Sequence, residues 1–224
     1  MKILFTKKLN EALISNKLGD QFSWDFVEVI EVKPLKIQSF ELKNRSLIFT
    51  SVNAVDAFFT NNFFPNENFI DKNFNKIYAV GYKTKLALRK NGFGTFKVSK
   101  NARELAEFII ENSTTEKFLH FCGDLALDVL DKALPLQNIS YKKIVVYETK
   151  LIEPEISGKY EAVSFFSPSG VRSFARFNSF GAMKIFSIGE TTESEIKKFT
   201  NNPIITSKES NLDDLLKLIS AQNL

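Results

Sequence analysis

The sequence has almost no cysteine and almost no histidine: among 224 residues each occurs once, as Cys122 and His120. A single cysteine cannot form an intramolecular disulfide, which indicates a reducing compartment, so we expect a cytoplasmic protein. One cysteine and one histidine also cannot make a thiolate metal site, and we predict no metal. The pattern favours structural roles, with Cys122 as a small buried residue and His120 as a satisfied, partly buried histidine.

Several familiar functional signals are missing as well. The chain has no Gly-Lys-Ser phosphate loop, no G-x-G-x-x-G after a strand and no G-x-S-x-G elbow. Its net charge is only +4, which does not suggest a nucleic-acid partner. No apolar segment approaches the roughly 20 residues that span a bilayer, and the N-terminus predicts a first strand rather than a signal peptide. We therefore expect no nucleic-acid partner and no membrane partner.

Short apolar runs of strand length recur along the chain, and most are continuous rather than alternating, as in strands covered on both faces. Most are followed by helical patterns, and this alternation predicts α/β folding with parallel sheets. The runs begin at Lys2, Asp25, Ser46, Lys76, Lys117, Lys142, Ala162, Lys184 and Pro203.

Two helices can be assigned from the spacing of their apolar residues. Apolar side chains fall at i, i+3, i+4 and i+7 from Ala102 and again from Leu212, so each segment has one apolar stripe facing a sheet. Asn101 and Asn211 come directly before these stripes and are predicted to be N-caps.

The same order of small residues occurs twice in the chain. The segment FTSVNAVDAF aligns with FFSPSGVRSF, which places Ser51 on Ser167. The next pair, IYAVGYKTKLALRK and IFSIGETTESEIKK, places Gly81 on Gly189, and the two helices above come third in both series. Agreement through three successive units indicates an internal repeat, with the alternative that any two strand–helix units look alike.

The repeat predicts two similar α/β domains with parallel sheets, one inserted in the other. The first series continues through further strands, whereas the second runs out of chain, so the N-terminal strands would complete it. We expect an inserted domain at 36–149 and a discontinuous domain at 1–35 and 150–224. The chain would cross between them near Pro34 and Pro154, as a two-strand connection.

Small and hydroxyl-bearing residues follow the predicted strands where helices begin. Ligands of parallel α/β sheets bind beyond the carboxyl ends of the strands, and a helix N-terminus offers an anion free N–H groups and partial positive charge. We therefore expect an anion-binding cleft between the domains. An alternative is that Asn53, Ser169 and Thr192 only cap their helices. The predicted binding residues are Ser51, Asn53, Gly81, Thr84, Gly123, Ser167, Ser169, Gly170, Thr191 and Thr192.

Tyr147 differs from these residues because it ends the predicted strand KKIVVY and precedes the second crossing. A tyrosine in that place can face the cleft and donate its phenolic proton, so Tyr147 is the predicted catalytic residue. The alternative is a structural tyrosine at the hinge.

Taken in order, the motifs resemble the uroporphyrinogen-III synthase family. The resembling segments are LIFTSVNAV, YAVGYKTKLAL, FCGD, IVVYET, SFFSPSGVRSF and FSIGETT. They occur in the family's order and at fitting spacings, and the resemblance as a whole covers nearly the whole chain. The resemblance implies two flavodoxin-like domains with a double connection. The chain departs from many bacterial members at Lys7-Lys8, where they have Arg-Pro, and at Glu190, where they have Pro.

The resemblance also implies a reaction. The substrate is hydroxymethylbilane, a linear tetrapyrrole rich in carboxylates, which loses water and closes into uroporphyrinogen III with inversion of ring D and without a cofactor. Tyr147 matches the family's tyrosine and would assist departure of the hydroxyl. An alternative is a non-catalytic two-domain protein that closes on an anionic small ligand. Nothing in the pattern suggests a dimer, so we expect a monomer. The residues that match cleft positions of the family are Ser51, Thr84, Ser167, Ser169 and Thr192.

Overall fold

The structure, a computed structural model, describes residues 1–68 and 70–223. It divides into two compact units, an inserted unit, Val32–Thr149, and a split unit, Met1–Glu31 with Lys150–Leu224.

Strands and helices alternate along the chain. The first half contains β1 (Lys2–Phe5), α1 (Glu11–Leu18), β2 (Ser23–Phe26), β3 (Ile30–Pro34), β4 (Ser46–Phe49), α2 (Val52–Thr60), β5 (Ile77–Val80), α3 (Tyr82–Lys90), β6 (Lys97–Ser99) and α4 (Ala102–Asn112). The second half contains β7 (Lys117–Gly123), α5 (Val129–Leu136), β8 (Ser140–Leu151), β9 (Ala162–Phe165), α6 (Pro168–Ala175), β10 (Lys184–Ser187), α7 (Glu190–Ile196), β11 (Ile204–Thr206), α8 (Leu212–Ser220) and a closing 3₁₀ turn, Ala221–Asn223.

The sheets of the two units share one strand plan. In the split unit the order is β11-β10-β9-β1-β2, with parallel neighbours throughout. Numbered along its own chain, this is the flavodoxin-like order 2-1-3-4-5. In the inserted unit, β8-β7-β4-β5-β6 repeats the plan in permuted form, again with parallel neighbours, and β3 is added beside β8. The N-terminal strands β1 and β2 thus take the places of β7 and β8, as the repeat predicts.

The chain passes from one unit to the other within β3 and again within β8. The Leu35 N–H donates to the Val146 carbonyl and the Ile152 N–H donates to the Val29 carbonyl, both at 2.9 Å, so these two strands run in opposite directions. The run 25–32, predicted as one strand, is divided into β2 and β3 because its two halves pair within different sheets. The three-residue strand β6 was not predicted.

Both faces of each sheet are covered, which explains the continuous apolar runs. In the inserted unit, Phe49 and Phe121 pack beneath α2 and α3, while Ile48 on the opposite face packs beneath α4 and α5. In the split unit, Phe5 packs with α1 and α8, and Phe165 packs with α6 and α7. Each unit therefore has its own doubly covered core.

N-caps recur in the same order in both units. The serine caps accept the N–H of the residue three positions later, and the asparagine caps, which are those predicted, do the same. The glycines make no side-chain cap. In order, the caps are Ser51, Gly81 and Asn101 in the inserted unit and Ser167, Gly189 and Asn211 in the split unit.

The alternative interpretation of Asn53, Ser169 and Thr192 as N-caps is wrong. All three lie inside the first turn of their helices. An N-cap needs extended backbone before the helix, and in the first two helices that geometry belongs to Ser51 and Ser167.

Asn61 ties the segment after β3 to the end of α2. Its side-chain amide donates to the carbonyls of Leu35 and Ala57 at 2.9 and 2.8 Å. Its Oδ1 accepts the Ile37 N–H at 2.8 Å. Asn91 at the end of α3 makes the equivalent intrahelical bond, on an exposed surface.

We expect Asn61→Ala to lower the free energy of unfolding by about 2–3 kcal/mol, because partly buried backbone groups lose their partners. The matched variant Asn91→Ala removes one exposed bond and should cost less than about 1 kcal/mol. Urea denaturation followed by circular dichroism measures both. Equal losses of unfolding free energy in the two variants would show that only the intrahelical bond of Asn61 contributes to stability.

Candidate active site

Each sheet has one point where the chain connections reverse direction, and ligands of such sheets bind there, beyond the carboxyl ends of the strands. In the inserted unit this point lies between β4 and β7, and in the split unit between β1 and β9. We call the first the inserted-unit edge and the second the split-unit edge. Their residues are Thr50, Ser51, Cys122 and Gly123 in the inserted-unit edge, and Thr6, Lys7, Phe166 and Ser167 in the split-unit edge.

Tyr147 reaches the inserted-unit edge from the neighbouring strand β8. The prediction that Tyr147 ends its strand is wrong, because β8 continues to Leu151 and pairs with β3. A register shift after Cys122 places Gly123 opposite Tyr147. A Cβ added to Gly123 would lie 2.4 Å from ring carbons of Tyr147. The ring therefore needs glycine beneath it.

The Tyr147 hydroxyl also contacts the cap of α2. It lies 3.1 Å from Ser51 Oγ, which accepts the Ala54 N–H at 3.1 Å. Burial raises the pKa of the Tyr147 hydroxyl above its ordinary value, although the Ser51 hydrogen bond acts in the opposite direction. The phenol therefore stays protonated at neutral pH. Ser51, Gly123 and Tyr147, all predicted from the sequence, meet at one point.

A second group at the inserted-unit edge was not predicted. Thr50 Oγ1 lies 3.0 Å from His120 Nε2, and His120 Nδ1 lies 2.7 Å from the Tyr141 hydroxyl. His120 is buried with both ring nitrogens hydrogen-bonded, as expected of a satisfied histidine, and burial lowers its pKa to about 4. Burial raises the pKa of Cys122 to about 12, so this buried thiol is neutral. No local sequence pattern joins Thr50 to Tyr141, because their proximity depends on strand register.

The split-unit edge is built around the start of α6. Ser167 Oγ accepts the Gly170 N–H at 3.1 Å and lies 3.1 Å from Ser169 Oγ. On the adjacent strand, β1 is followed by the buried Thr6 and then by two exposed lysines. The three predicted residues of this segment thus lie together, beside a positively charged turn.

The remaining predicted residues differ in exposure. Thr84 and Thr192 are buried in the first turns of α3 and α7. Asn53 and Thr191 are exposed on their helices. Gly81 precedes α3 with a φ of 82°, in the region that favours glycine. Asn53 and Thr191 are therefore accessible to a ligand, whereas the side chains of Thr84 and Thr192 are not.

The described part of the chain contains neither a metal cluster nor a membrane helix. Within residues 1–68 and 70–223, no group of three or more His, Cys, Asp or Glu side chains is placed to hold a metal ion. Over the same stretches, no helix has the length and apolar character that crossing a membrane requires.

Comparison with protein families identifies the chain. The model of the family described as uroporphyrinogen-III synthase HemD matches residues 25–217. The chain belongs to the uroporphyrinogen-III synthase family. As a member it is an enzyme of porphyrin biosynthesis, a lyase that cyclises hydroxymethylbilane. No individually curated protein matches the sequence.

Solved structures of uroporphyrinogen-III synthases have a similar fold. The chain is 21% identical to uroporphyrinogen-III synthetase of Helicobacter pylori 26695, with 99% of each chain covered and a TM-score of 0.68. It is 15% identical to a mutant uroporphyrinogen-III synthase of the extremely thermophilic bacterium Thermus thermophilus, with 100% of each chain covered and a TM-score of 0.65. The predicted two-domain α/β fold with parallel sheets is confirmed.

We expect Gly123→Ala to displace the Tyr147 ring, because the new Cβ would lie 2.4 Å from ring carbons. Overpacking of this kind costs about 1–3 kcal/mol of unfolding free energy. The matched variant Gly94→Ala adds a Cβ with no atom within 4 Å and should stay within about 1 kcal/mol of the parent. Urea denaturation and a crystal structure of each variant provide the measurements. An unchanged Tyr147–Ser51 distance in Gly123→Ala would contradict the expectation.

Proposed function

We propose that the chain makes uroporphyrinogen III mainly by positioning hydroxymethylbilane, with Tyr147 as the proton donor. The observation that carries this proposal is the hydroxyl pair formed by Tyr147 and Ser51, 3.1 Å apart at the point of the sheet where ligands bind. The bilane can cyclise unaided to the type I isomer, so the enzyme has to hold it with the substituted carbon of ring D ready to attack. Positioning of that kind can supply a large part of a rate enhancement.

The starts of α2 and α6 are proposed to bind substrate carboxylates. Each helix is at least eight residues long and is capped by a serine at the carboxyl end of a strand. Free N–H groups and the helix dipole favour an anion at such a place. Lys7 and Lys8 add exposed positive charge beside α6 and supply the charge that Arg-Pro supplies in many bacterial members. The hydroxyl of Ser169 adds a neutral donor.

Tyr147 is proposed to donate a proton to the departing hydroxyl. Ser51 Oγ already accepts the Ala54 N–H, and it can donate its own hydrogen to the Tyr147 oxygen. The phenolic proton is then free for the substrate. The hydroxyl leaves as water, the azafulvene cation forms, and the proton released when the macrocycle closes returns to Tyr147. The raised pKa of Tyr147 keeps the phenol protonated before each turnover.

Several features of the proposal remain predictions from the sequence. They are the domains at 1–35 with 150–224 and at 36–149, the cleft, a cytoplasmic location, a monomeric state and the absence of a nucleic-acid partner. Analytical ultracentrifugation tests the monomer.

The reaction is tested by supplying hydroxymethylbilane and resolving the product isomers. We expect uroporphyrinogen III in excess over type I, at a rate above that of the enzyme-free reaction. Formation of the type I isomer alone, at the enzyme-free rate, would contradict the proposal. Calorimetric binding of the product without turnover would then favour the alternative, a non-catalytic protein that closes on an anionic ligand.

We expect Tyr147→Phe to remain folded and to lower kcat by about 100-fold, the low end of general-acid effects, because the hydroxyl can also leave unaided. Tyr160→Phe is the matched control, since the Tyr160 hydroxyl is likewise hydrogen-bonded to one side chain, Asp25, but Tyr160 comes before β9 at the amino end of the sheet. The isomer assay and circular dichroism measure both variants. Full activity of Tyr147→Phe would rule out the proton-donor role.

A further inference from the structure

Asp124 binds β8 at two points close to Tyr147. Its N–H donates to the Tyr147 carbonyl at 3.1 Å. Oδ1 of its carboxylate accepts the Thr149 N–H at 2.9 Å. Asp124 directly follows Gly123, the last residue of β7. The chain that leaves β7 is therefore held to β8 by one backbone bond and one side-chain bond, which together we call the Asp124 clamp.

The side-chain bond of the clamp takes the place of a ladder bond. In a parallel pair, a residue that donates its N–H to one residue of the neighbouring strand accepts, with its carbonyl, the N–H two residues further on. A regular ladder would therefore pair the Asp124 carbonyl with the Thr149 N–H. Because β7 ends at Gly123 while β8 continues to Leu151, the Asp124 carboxylate supplies the acceptor instead. Short side chains such as those of Asp and Asn can replace a backbone carbonyl in this way.

The clamp lies where the pairing of β7 with β8 is irregular. The register shifts between Cys122 and Gly123, and such a bulge disrupts the ladder and bends the strand. The two bonds of Asp124 come directly after this shift. Bonds at two separate points fix both the position and the direction of β8 on the far side of the bulge.

The position of β8 at this point decides where the Tyr147 hydroxyl lies. The Tyr147 ring rests above Gly123, and its hydroxyl lies 3.1 Å from Ser51 Oγ. The hydroxyl is at the far end of a long side chain, so a small rotation of the backbone displaces it further than it displaces the Cα. A misplacement of about 1 Å can cost on the order of 10²-fold in rate.

We propose that Asp124 is a positioning residue whose carboxylate holds the Tyr147 segment of β8, so that the phenol keeps its place beside Ser51. This inference rests on the proposed function, in which Tyr147 donates the proton. The effect of Asp124 passes through Tyr147 and requires no contact with the substrate. A carboxylate that only ended a strand would stabilise the unit without changing the rate of the folded enzyme.

Kinetics of Asp124 variants test the positioning role. Asp124→Ala removes the acceptor, and we expect kcat to fall about 10-fold with KM within about twofold of the parent, because a misplaced donor slows the chemical step. Asp124→Asn keeps an acceptor oxygen and should restore kcat to within about threefold of the parent. Parental kcat in Asp124→Ala, or a loss that asparagine does not restore, overturns the positioning role.

Asp71→Ala is the matched control for these kinetics. Asp71 Oδ1 likewise accepts a backbone N–H, that of Asn73 at 2.8 Å, but Asp71 lies before β5 at the amino end of the same sheet. We expect this variant to keep the parental kcat. A loss as large as that of Asp124→Ala would show that any lost aspartate–backbone bond slows the enzyme, and it would overturn the specific role of Asp124.

A double-mutant cycle shows whether the effect passes through Tyr147. In the Tyr147→Phe background we expect Asp124→Ala to lower kcat by less than about twofold, because the donor that it would misplace is already absent. Circular dichroism confirms that folded enzymes are compared. An equal loss in both backgrounds means that Asp124 acts independently of Tyr147, and it overturns the inference.

Amide hydrogen exchange tests the clamp in the unmodified enzyme. The Thr149 N–H should exchange slowly in the parent, and at least about tenfold faster in Asp124→Ala, when followed by nuclear magnetic resonance. A Thr149 amide that exchanges at the unprotected rate in the parent overturns the clamp. This measurement needs no variant, so it decides the contact even where a substitution prevents folding.

These results can be told apart from failure of the proposed function. Type I product alone from the unmodified enzyme overturns the reaction itself. Full activity of Tyr147→Phe overturns the proton-donor role and the inference with it. A slow Tyr147→Phe variant together with a fully active Asp124→Ala variant overturns only the positioning role of Asp124.

Discussion

The contact between the Tyr147 ring and Gly123 sets the geometry of the inserted-unit edge. It depends on the bulge that follows Cys122, which adds Val146 to β8 and brings Tyr147 opposite Gly123. Side chains of a regular strand alternate between faces, yet Val146 and Tyr147 both pack against the cluster beneath α2. The bulge re-aims one side chain toward the cap of the neighbouring helix. Without it, the phenol and Ser51 could not meet.

The edge groups around Tyr147 are neutral, which suits this reaction. Hydroxymethylbilane supplies abundant negative charge, and the intermediate adds a positive charge close to the same scaffold. Dense fixed charge would hold substrate, intermediate and product alike, and uniform binding does not raise kcat. A phenol, hydroxyls and backbone N–H groups can line the site without binding substrate, intermediate and product equally tightly. They act through their orientation. The near-absence of histidine and cysteine, which excludes most conventional catalytic sets, is compatible with such an enzyme.

The fold was predictable because its signals are local and repeated. Continuous apolar runs report doubly covered strands, and the order of serine, glycine and asparagine before successive helices exposes the repeat. The site was predictable only in part. Ser51 and Ser167 follow strand ends and Gly123 is the last residue of β7, but Tyr147 lies inside β8, which continues to Leu151 and also pairs with β3. A bulge leaves no mark in hydrophobic periodicity, because one added residue changes the register without changing the composition.

The buried group of Thr50, His120 and Tyr141 shows the limit of sequence reasoning most clearly. Its members belong to three separate elements or turns, and their proximity follows from the parallel register that sets Ile48 beside His120. A buried polar series destabilises a sheet core when any member lacks a partner, and it specifies one arrangement when all are satisfied. Here both ring nitrogens of His120 have a hydroxyl partner, Thr50 on one side and Tyr141 on the other. The group therefore favours the one register of β4, β7 and β8 in which all three side chains find partners.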